Sequence, residues 1–365
     1  MVVHEATATE DQYPLPPSTL DGKHYTDPQQ YARELETIFF RSWMPVVPAA
    51  DLPEPRDVVV WEQLHQSVVI SRLDDGGVAA WHNVCQHRGA KIVRDSGRCP
   101  TGRFTCPWHG LTYNLKGEVT GVPMVEIFDP AELDGLRARS VRAVQWAGWI
   151  WLCFSDDVPE LEPYLGDIYG ELGGYGLESF TTQYRTSLLL QANWKVVIDA
   201  FNETWHVPFT HQHTLAGLVL WRDAALKITP PHSWMTLPVR GLAERTDSDD
   251  HRKKHICHYL AFPNTIFSCF PTHLQTWNVW PISVDETLLT AYGMVGPTPA
   301  GMSEEKWARN SDRDWNSFMD VLAEDVEVIK EAGEAMHSLG FRRNMFNIAE
   351  GRLTAFHEEV NARAG

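Results

Sequence analysis

Two short segments, Cys85-Gln86-His87 and Cys106-Pro107-Trp108-His109, carry the residue types best suited to metal chemistry. Each pairs one thiolate with one imidazole. A set of two sulfur and two nitrogen ligands, one of each per segment, suits an iron–sulfur cluster whose irons are unlike. Two Cys would hold one iron and two His the other, and imidazole in place of thiolate raises the reduction potential. The residues that follow, Arg88-Gly89 and Gly110, are small or turn-forming, as ligand loops require. The same four side chains could hold zinc, although zinc motifs more often group Cys with Cys and His with His. Cys99 lies between the two segments, but position 102 is Gly, so it lacks a His three residues on. Cys106 is the better ligand.

A second constellation lies in the segment from Asn193 to His211. On a helix, Glu203 and His206 share a face. His206 and His211 are five apart and would diverge on a straight helix. Pro208 disfavours helix just before it, and a break there could swing His211 back toward His206. Two neutral imidazoles and one carboxylate make a facial triad, which holds Fe(II) and leaves positions open for oxygen and substrate. His213 competes with His211 on spacing alone. The third ligand can come from the last helix, where Trp315, Phe318, Met319 and Leu322 mark an apolar stripe that Val326 and Ile329 extend. Asp325 falls at the edge of that stripe, and a carboxylate there is costly unless paired or metal-bound. Asp325 is therefore the candidate ligand, with an ordinary hydrogen-bonded Asp as the alternative. Glu324 reads as pointing away into solvent. His251, His255 and His258 lead into a β-like run and lie among basic residues, so they read as a solvated or edge-strand feature rather than a metal site.

These residues must be positioned by more than one domain. The chain has 365 residues, 43% of them hydrophobic and 22% charged, ordinary for a globular protein with a substantial core. A net charge of −17 argues against a nucleic-acid partner. The start of the chain lacks a basic, apolar signal sequence. The most apolar stretch, Ala147 to Phe154, is far short of the ~20 residues of a membrane helix and reads as a buried strand. The remaining cysteines show no disulfide framework, which suits a reducing cytoplasm. Residues 1–44 form a polar lead-in with a helix from Pro28 to Arg41. Residues 45–158 read as short strands, including Val58 to Trp61, Ser67 to Ile70 and Gly77 to Trp81, with a hairpin at Asp74-Asp75-Gly76-Gly77. Residues 159–365 mix strands (Gln183 to Leu190, Ile256 to Phe262, Thr265 to Phe270, Thr287 to Gly293) with a last helix from Ser303 to Ser338. The fold class is α+β, and the residues beyond 158 form a single domain.

With both constellations in view, the chain resembles the Rieske non-haem iron oxygenases, specifically the terminal oxygenase α subunit, over nearly its whole length. Cys85, His87, Cys106 and His109 fit the cluster motif, and the 18 residues between His87 and Cys106 slightly exceed the family's usual gap. His206 and His211 fit the iron histidines, and Asp325 looks like the late Asp ligand. Phe262-Pro263-Asn264 and Trp280-Pro281 look like framework pieces of a helix-grip (START-like) catalytic domain. The resemblance implies a small all-β Rieske [2Fe-2S] domain and a catalytic domain with an antiparallel sheet and a long C-terminal helix. Its cofactors would be a [2Fe-2S] cluster and mononuclear Fe(II), with O2 as co-substrate.

One position departs from the common pattern. Many members carry an Asp three residues before the first iron histidine, where this chain has Glu203. In the family that carboxylate bridges the Rieske site of one subunit to the iron site of its neighbour, and the resemblance implies that here it would link His109 of one chain to His206 of the next, within a ring of three subunits. Glu here also resembles the choline, carnitine and betaine monooxygenases. Asp199 stands where some ring-hydroxylating members have Asn. No G-x-G-x-x-G follows a strand, so NAD(P)H is expected to act through a separate reductase, with or without a ferredoxin. Phe201, Trp205, Phe209, Leu218, Leu220 and Trp221 flank the iron histidines, which suits an apolar pocket or ordinary core. The resemblance implies hydroxylation or dihydroxylation of a small aromatic substrate, with N- or O-demethylation of a quaternary amine or aryl ether as the alternative. A Rieske electron carrier would need only residues 45–158. A zinc-stabilised ligand-binding protein would be colourless.

Overall fold

A computed structural model describes residues 19–241, 250–270 and 273–365. The N-terminal residues read for a targeting signal lie outside them. Among the described residues, no helix is long and apolar enough to cross a membrane. The chain divides into two compact units, one of Phe40–Tyr164 and one that joins Leu165–Gly365 to the lead-in up to Phe39.

The smaller unit is almost all β. Seven strands form one antiparallel sheet in the order Met44–Pro48, Trp149–Cys153, Ser140–Trp146, Val78–His82, Gln66–Arg72, Asp57–Gln63 and Gly97–Arg98. Three shorter strands, Arg103–Thr105, Thr112–Asn114 and Val119–Gly121, form a second. The apolar run expected as a buried strand is Trp149–Cys153, buried at every position. The Asp-Asp-Gly-Gly hairpin joins Gln66–Arg72 to Val78–His82, with Gly76 at φ +83° supplying the left-handed residue. Trp81 stacks on Tyr113, and its indole N–H donates to Leu115 O (3.1 Å), tying the two sheets together beneath the ligand loops.

The larger unit is a seven-stranded antiparallel sheet in the order Thr181–Leu190, Thr287–Val295, His273–Pro281, Thr265–Cys269, His255–Ala261, His232–Pro238 and Ala225–Thr229. Its central strands are buried on both faces. Three strands, His273–Pro281, His232–Pro238 and Ala225–Thr229, and the closing helix Gly351–Ala364 have no reading in the sequence. The sequence also makes the helix over Ser303 to Ser338 the last one, whereas Gly351–Ala364 follows it. The strand His255–Ala261 is interior, not an edge, and His258 on it is buried. Neighbouring charged residues in sequence misled that reading, because strand position in a sheet is a long-range property.

The long helix Glu304–Ala335 begins at Ser303, whose hydroxyl accepts from Lys306 N (3.3 Å). It is clamped at two places. Trp315 lies over Gly293, where a Cβ would meet its ring at 2.7 Å, and stacks on Tyr184. Further on, Gly333 lets the helix backbone rest on Gln191 O, which a Cβ would meet at 2.6 Å. Asp325 sits between the two clamps.

The lead-in helix Pro28–Thr37 packs on the closing helix and anchors the helix Trp194–Phe201 from below. Lys195 Nζ donates to Glu34 Oε1 (2.5 Å), and Trp194 Nε1 donates to Glu34 Oε2 (2.7 Å). Lys195 and Glu34 are fully buried, so each charge depends on the other. Lys195→Met is expected to leave the Glu34 carboxylate stranded at a cost of about 3–5 kcal/mol. Thermal melting should register this as a fall in stability, and an unchanged melt would show the pair to be replaceable.

Candidate metal centres

The two Cys/His segments form matching loops at the tips of the small sheets. In the first, Cys85 N donates to Ala90 O (2.8 Å) and Gly89 N to Cys85 O (2.8 Å). In the second, Cys106 N donates to Leu111 O (2.8 Å) and Gly110 N to Cys106 O (3.1 Å). The closure is the same in both, with a glycine at the fourth position after Cys. Gly89 (φ +75°) and Gly110 (φ +80°) adopt a left-handed backbone that most residues resist. Asn83 staples the first loop, its carbonyl oxygen accepting from Ile92 N (3.0 Å) and Val93 N (2.9 Å).

Cys85 and Cys106 are buried, and the two imidazoles are exposed with ring centroids 4.5 Å apart. That asymmetry suits a cluster whose thiolate-bound iron is inside and whose imidazole-bound iron faces outward. Burial alone would push the Cys85 thiol up, but the Tyr113 hydroxyl at 3.3 Å and nearby N–H groups hold it below its ordinary value. Tyr113 and Asn83 were not singled out in the sequence. Cys99 does not join the set; its thiol faces the Arg103 carbonyl (3.3 Å).

The second centre is built by a helix that stops early. Asn193 caps Trp194–Phe201 through Lys195 N (3.0 Å), and the helix ends before Asn202. Glu203 therefore lies in a turn rather than on the helix, and the break falls earlier than Pro208. Pro208 instead sits in the first turn of the short helix Val207–Thr210, where its missing N–H costs little. The turned chain lets the Glu203 carboxylate accept from its own following backbone, including His206 N (3.2 Å), and from His206 Nδ1–H. His206 Nε2 is left free to face inward.

His206, His211 and Asp325 come together, their ligand atoms within 4.8 Å of one another. Asp325 Oδ1 lies 3.0 Å from His211 Nε2 and 3.8 Å from His206 Nε2. His211 and Asp325 are buried, and His206 is half-buried. His213 is not part of this group. Glu324 does not point away into solvent. Its Oε2 accepts from His211 Nδ1–H (2.7 Å) and from Thr214 Oγ1 (2.7 Å). Adjacent helix positions are about 100° apart, yet the longer Glu side chain reaches the far edge of the imidazole while Asp325 meets the near one. Burial would push His211 down, and Asp325 and Glu324 together hold it above its ordinary value. Each imidazole thus has Nδ1 on a glutamate and Nε2 turned to Asp325, the orientation in which outer-shell carboxylates fix metal-binding histidines. Glu324→Ala is expected to weaken iron retention about 10–100-fold while leaving the cluster's visible spectrum intact. Iron analysis after timed chelator exposure checks this.

Asp199 is held by the lead-in and the closing helix. It accepts from Tyr25 OH (3.1 Å) and pairs with His357 Nε2 (2.8 Å). Burial pushes the neighbouring Glu350 carboxyl up to about 7, with Glu203 and Asp199 adding to the rise.

Residues 42–130 match the Rieske [2Fe-2S] domain, and residues 177–365 match the ring-hydroxylating alpha subunit catalytic domain. The chain belongs to the ring-hydroxylating α subunit family of Rieske oxygenases. It is 25% identical over 320 residues to the glycine betaine monooxygenase oxygenase subunit of Pseudomonas aeruginosa, spanning 76% of this chain and 73% of that one. It is 32% identical over 212 residues to the naphthalene 1,2-dioxygenase large oxygenase component of Pseudomonas aeruginosa, spanning 54% of this chain and 46% of that one. Among solved structures, a quaternary ammonium Rieske monooxygenase superposes with a TM-score of 0.81 at 20% identity, over 96% of both chains. Naphthalene 1,2-dioxygenase with indole bound superposes with a TM-score of 0.76 at 22% identity, over 96% of this chain and 93% of that one.

This Rieske oxygenase component is an O2-incorporating oxidoreductase with a [2Fe-2S] cluster and a mononuclear iron. It works within a multicomponent system that includes a reductase.

Proposed function

We propose that this chain is the terminal oxygenase that hydroxylates or dihydroxylates a small aromatic substrate, with Cys85, His87, Cys106 and His109 holding the cluster and His206, His211 and Asp325 the iron. Electrons come from NAD(P)H through a separate reductase, directly or through a ferredoxin, in the cytoplasm. Once bound, the two groups supply one-electron transfer and oxygen activation. The chain's own residues orient them: Glu203 and Glu324 fix the imidazoles, and Tyr113 and the loop amides favour the Cys85 thiolate.

The observation that carries the aromatic reading is a continuous aromatic wall. Phe201, at the end of the helix leading into the iron ligands, stacks on Trp277 with ring centroids 5.0 Å apart. Trp277 in turn stacks on Phe318 (5.7 Å), two turns before Asp325 on the same face of the long helix. A planar ring suits such a wall. The same wall would also face a quaternary ammonium group by cation–π attraction. Glu203, together with the likeness to glycine betaine monooxygenase over three quarters of this chain, favours demethylation as the second reading.

Glu203 supports a homotrimer in which it joins His109 of one subunit to His206 of the next. Its carboxylate already holds His206 and needs only a partner imidazole on its other side.

A single-turnover assay tests the reaction. Reduced protein is mixed with O2 and a panel of aromatic acids, aryl ethers and quaternary amines, and products are read by mass spectrometry. A ring-hydroxylated or diol product is expected; formaldehyde with a dealkylated product would replace this reading with the second.

A further inference from the structure

Three lysine or arginine side chains are buried among the described residues: Arg72, Lys195 and Arg352. The first two are paired. Arg72 donates to Leu52 O, Gly76 O and Gln145 Oε1, and Lys195 meets Glu34. Arg352 is different. It is fully buried, its Nε donates to Ser233 Oγ (3.0 Å), and both terminal nitrogens, Nη1 and Nη2, lack a partner among the described residues. A buried guanidinium whose two terminal nitrogens meet no acceptor is strongly unfavourable, so a chain that keeps one is set to receive its partner from outside. Burial lowers its pKa to about 9, which still leaves it a cation at neutral pH.

Its surroundings belong to the iron side of the unit. Strand register places Met235, His258, Ser268, Gln275 and Gly293 in one row across the sheet, with Ser233 two residues from Met235 on the same face. This face meets Trp315 through Gly293 and Phe201 through Trp277, so it lies toward the helices that carry the iron ligands. His258 packs at a tilt against Trp277 (ring centroids 5.1 Å) and lies within electrostatic reach of both Arg352 and His206. Burial keeps His258 neutral, and its Nδ1 is also without a partner. The amide of Asn202, next to Glu203, is buried with neither atom paired. The aromatic wall thus runs from the iron histidines toward a free guanidinium fork.

We propose that Arg352 recognises a carboxylate on the substrate, so that this oxygenase acts on an anionic or zwitterionic small molecule. The two free N–H edges of a guanidinium match a carboxylate bidentately. An aromatic acid would lay its ring on the Trp277 wall with its carboxylate on Arg352. A betaine would place its ammonium on the wall and its carboxylate on the same group. A neutral hydrocarbon or a plain quaternary cation would leave the guanidinium unpaired, and the cation would also be repelled. The proposal rests on the oxygenase reading above and narrows its substrate class.

The test is equilibrium binding to the anaerobic holoprotein, by calorimetry and thermal shift. Benzoate, 2-naphthoate and glycine betaine are compared with benzamide, 2-naphthamide and choline. At least one acid is expected to bind 10-fold or more tighter than its uncharged or cationic counterpart, and Arg352→Met to abolish that preference. Without ligand, Arg352→Met is expected to melt at the same temperature or higher, because it exchanges an unpaired buried charge for apolar volume. Equal binding within every pair overturns the proposal, as does an acid preference that survives in Arg352→Met. A variant that melts several degrees lower with the preference intact shows a purely structural arginine. Should Arg352→Met not fold, the wild-type comparison decides together with Arg352→Lys, which is expected to bind the preferred acid more weakly. Single turnover of the bound acids keeps the two readings apart. An acid that binds through Arg352 and yields no product removes the oxygenase reading for that class. Product from benzamide without any acid preference removes only the carboxylate site.

Discussion

Asp325→Ala is expected to abolish mononuclear iron binding while leaving the Rieske cluster's visible spectrum unchanged. Among the described residues, Asp325 is the one carboxylate that faces both inward imidazole nitrogens, at 3.0 and 3.8 Å. Without it, two histidines remain, and a site with two neutral ligands holds Fe(II) poorly. The cluster ligands lie in the other compact unit, so their spectrum reports folding independently of the iron site. Iron analysis should therefore fall from the three irons of a filled chain to the two of the cluster, with turnover lost entirely. Retained iron and turnover would assign the third ligand to another group, and Glu324 would be the first to test because it already contacts His211.

Glu203→Gln is the second large effect. Gln keeps an acceptor for His206 Nδ1–H, so the imidazole stays oriented and iron is retained near the wild-type level. What disappears is the negative charge beside His206, which the proposed trimer sets before the neighbouring subunit's cluster. Turnover is expected to fall by about 100-fold, at the upper end of the losses seen when outer-shell carboxylates are removed. Stopped-flow reoxidation of the reduced cluster locates the defect: it slows as much as turnover if Glu203 lies on the electron path. Slow turnover with normal reoxidation would confine Glu203 to orienting His206. A monomeric protein in solution would exclude the bridge.

The two site effects differ in how each residue could be read. Asp325 stood out because an acidic residue at the edge of an apolar helical stripe demands a partner. Periodicity turns Glu324 toward solvent because it assigns a direction to Cα–Cβ and says nothing of a long side chain curling around the helix edge. Its signal was present in the tandem Glu324-Asp325 beside a two-histidine segment, though only the position of His211 gives it meaning. The break near the iron histidines was legible through Pro208, but its true place, after Phe201, depends on Glu203 satisfying the freed amides. Arg352 carries no local signal, and His258 reads only as one of three spaced histidines near basic residues. One lies in a helix that went unread, and the other in a strand that looked exposed because lysines and an arginine precede it.

The amino-acid sequence by itself determined the chemistry of this protein. Ligand type and short-range spacing are local, so Cys-x-His with Cys-x-x-His and His-x-x-x-x-His, with the family resemblance they carry, point to a mixed-ligand cluster and an iron site without any fold. Strand alternation, one apolar run and the Asp-Asp-Gly-Gly turn likewise placed four of the ten strands of the small β unit. Only the tertiary structure decided which groups hold those ligands in place and what the substrate face offers. Tyr113 at the Cys85 sulfur, Glu324 at His211 and the free fork of Arg352 beside Ser233 are contacts across 28, 113 and 119 residues. Burial and partnership over such separations come from packing the whole chain: packing brings an ordinary glutamate against a histidine as its anchor, and burial turns an ordinary arginine into a site awaiting an anion.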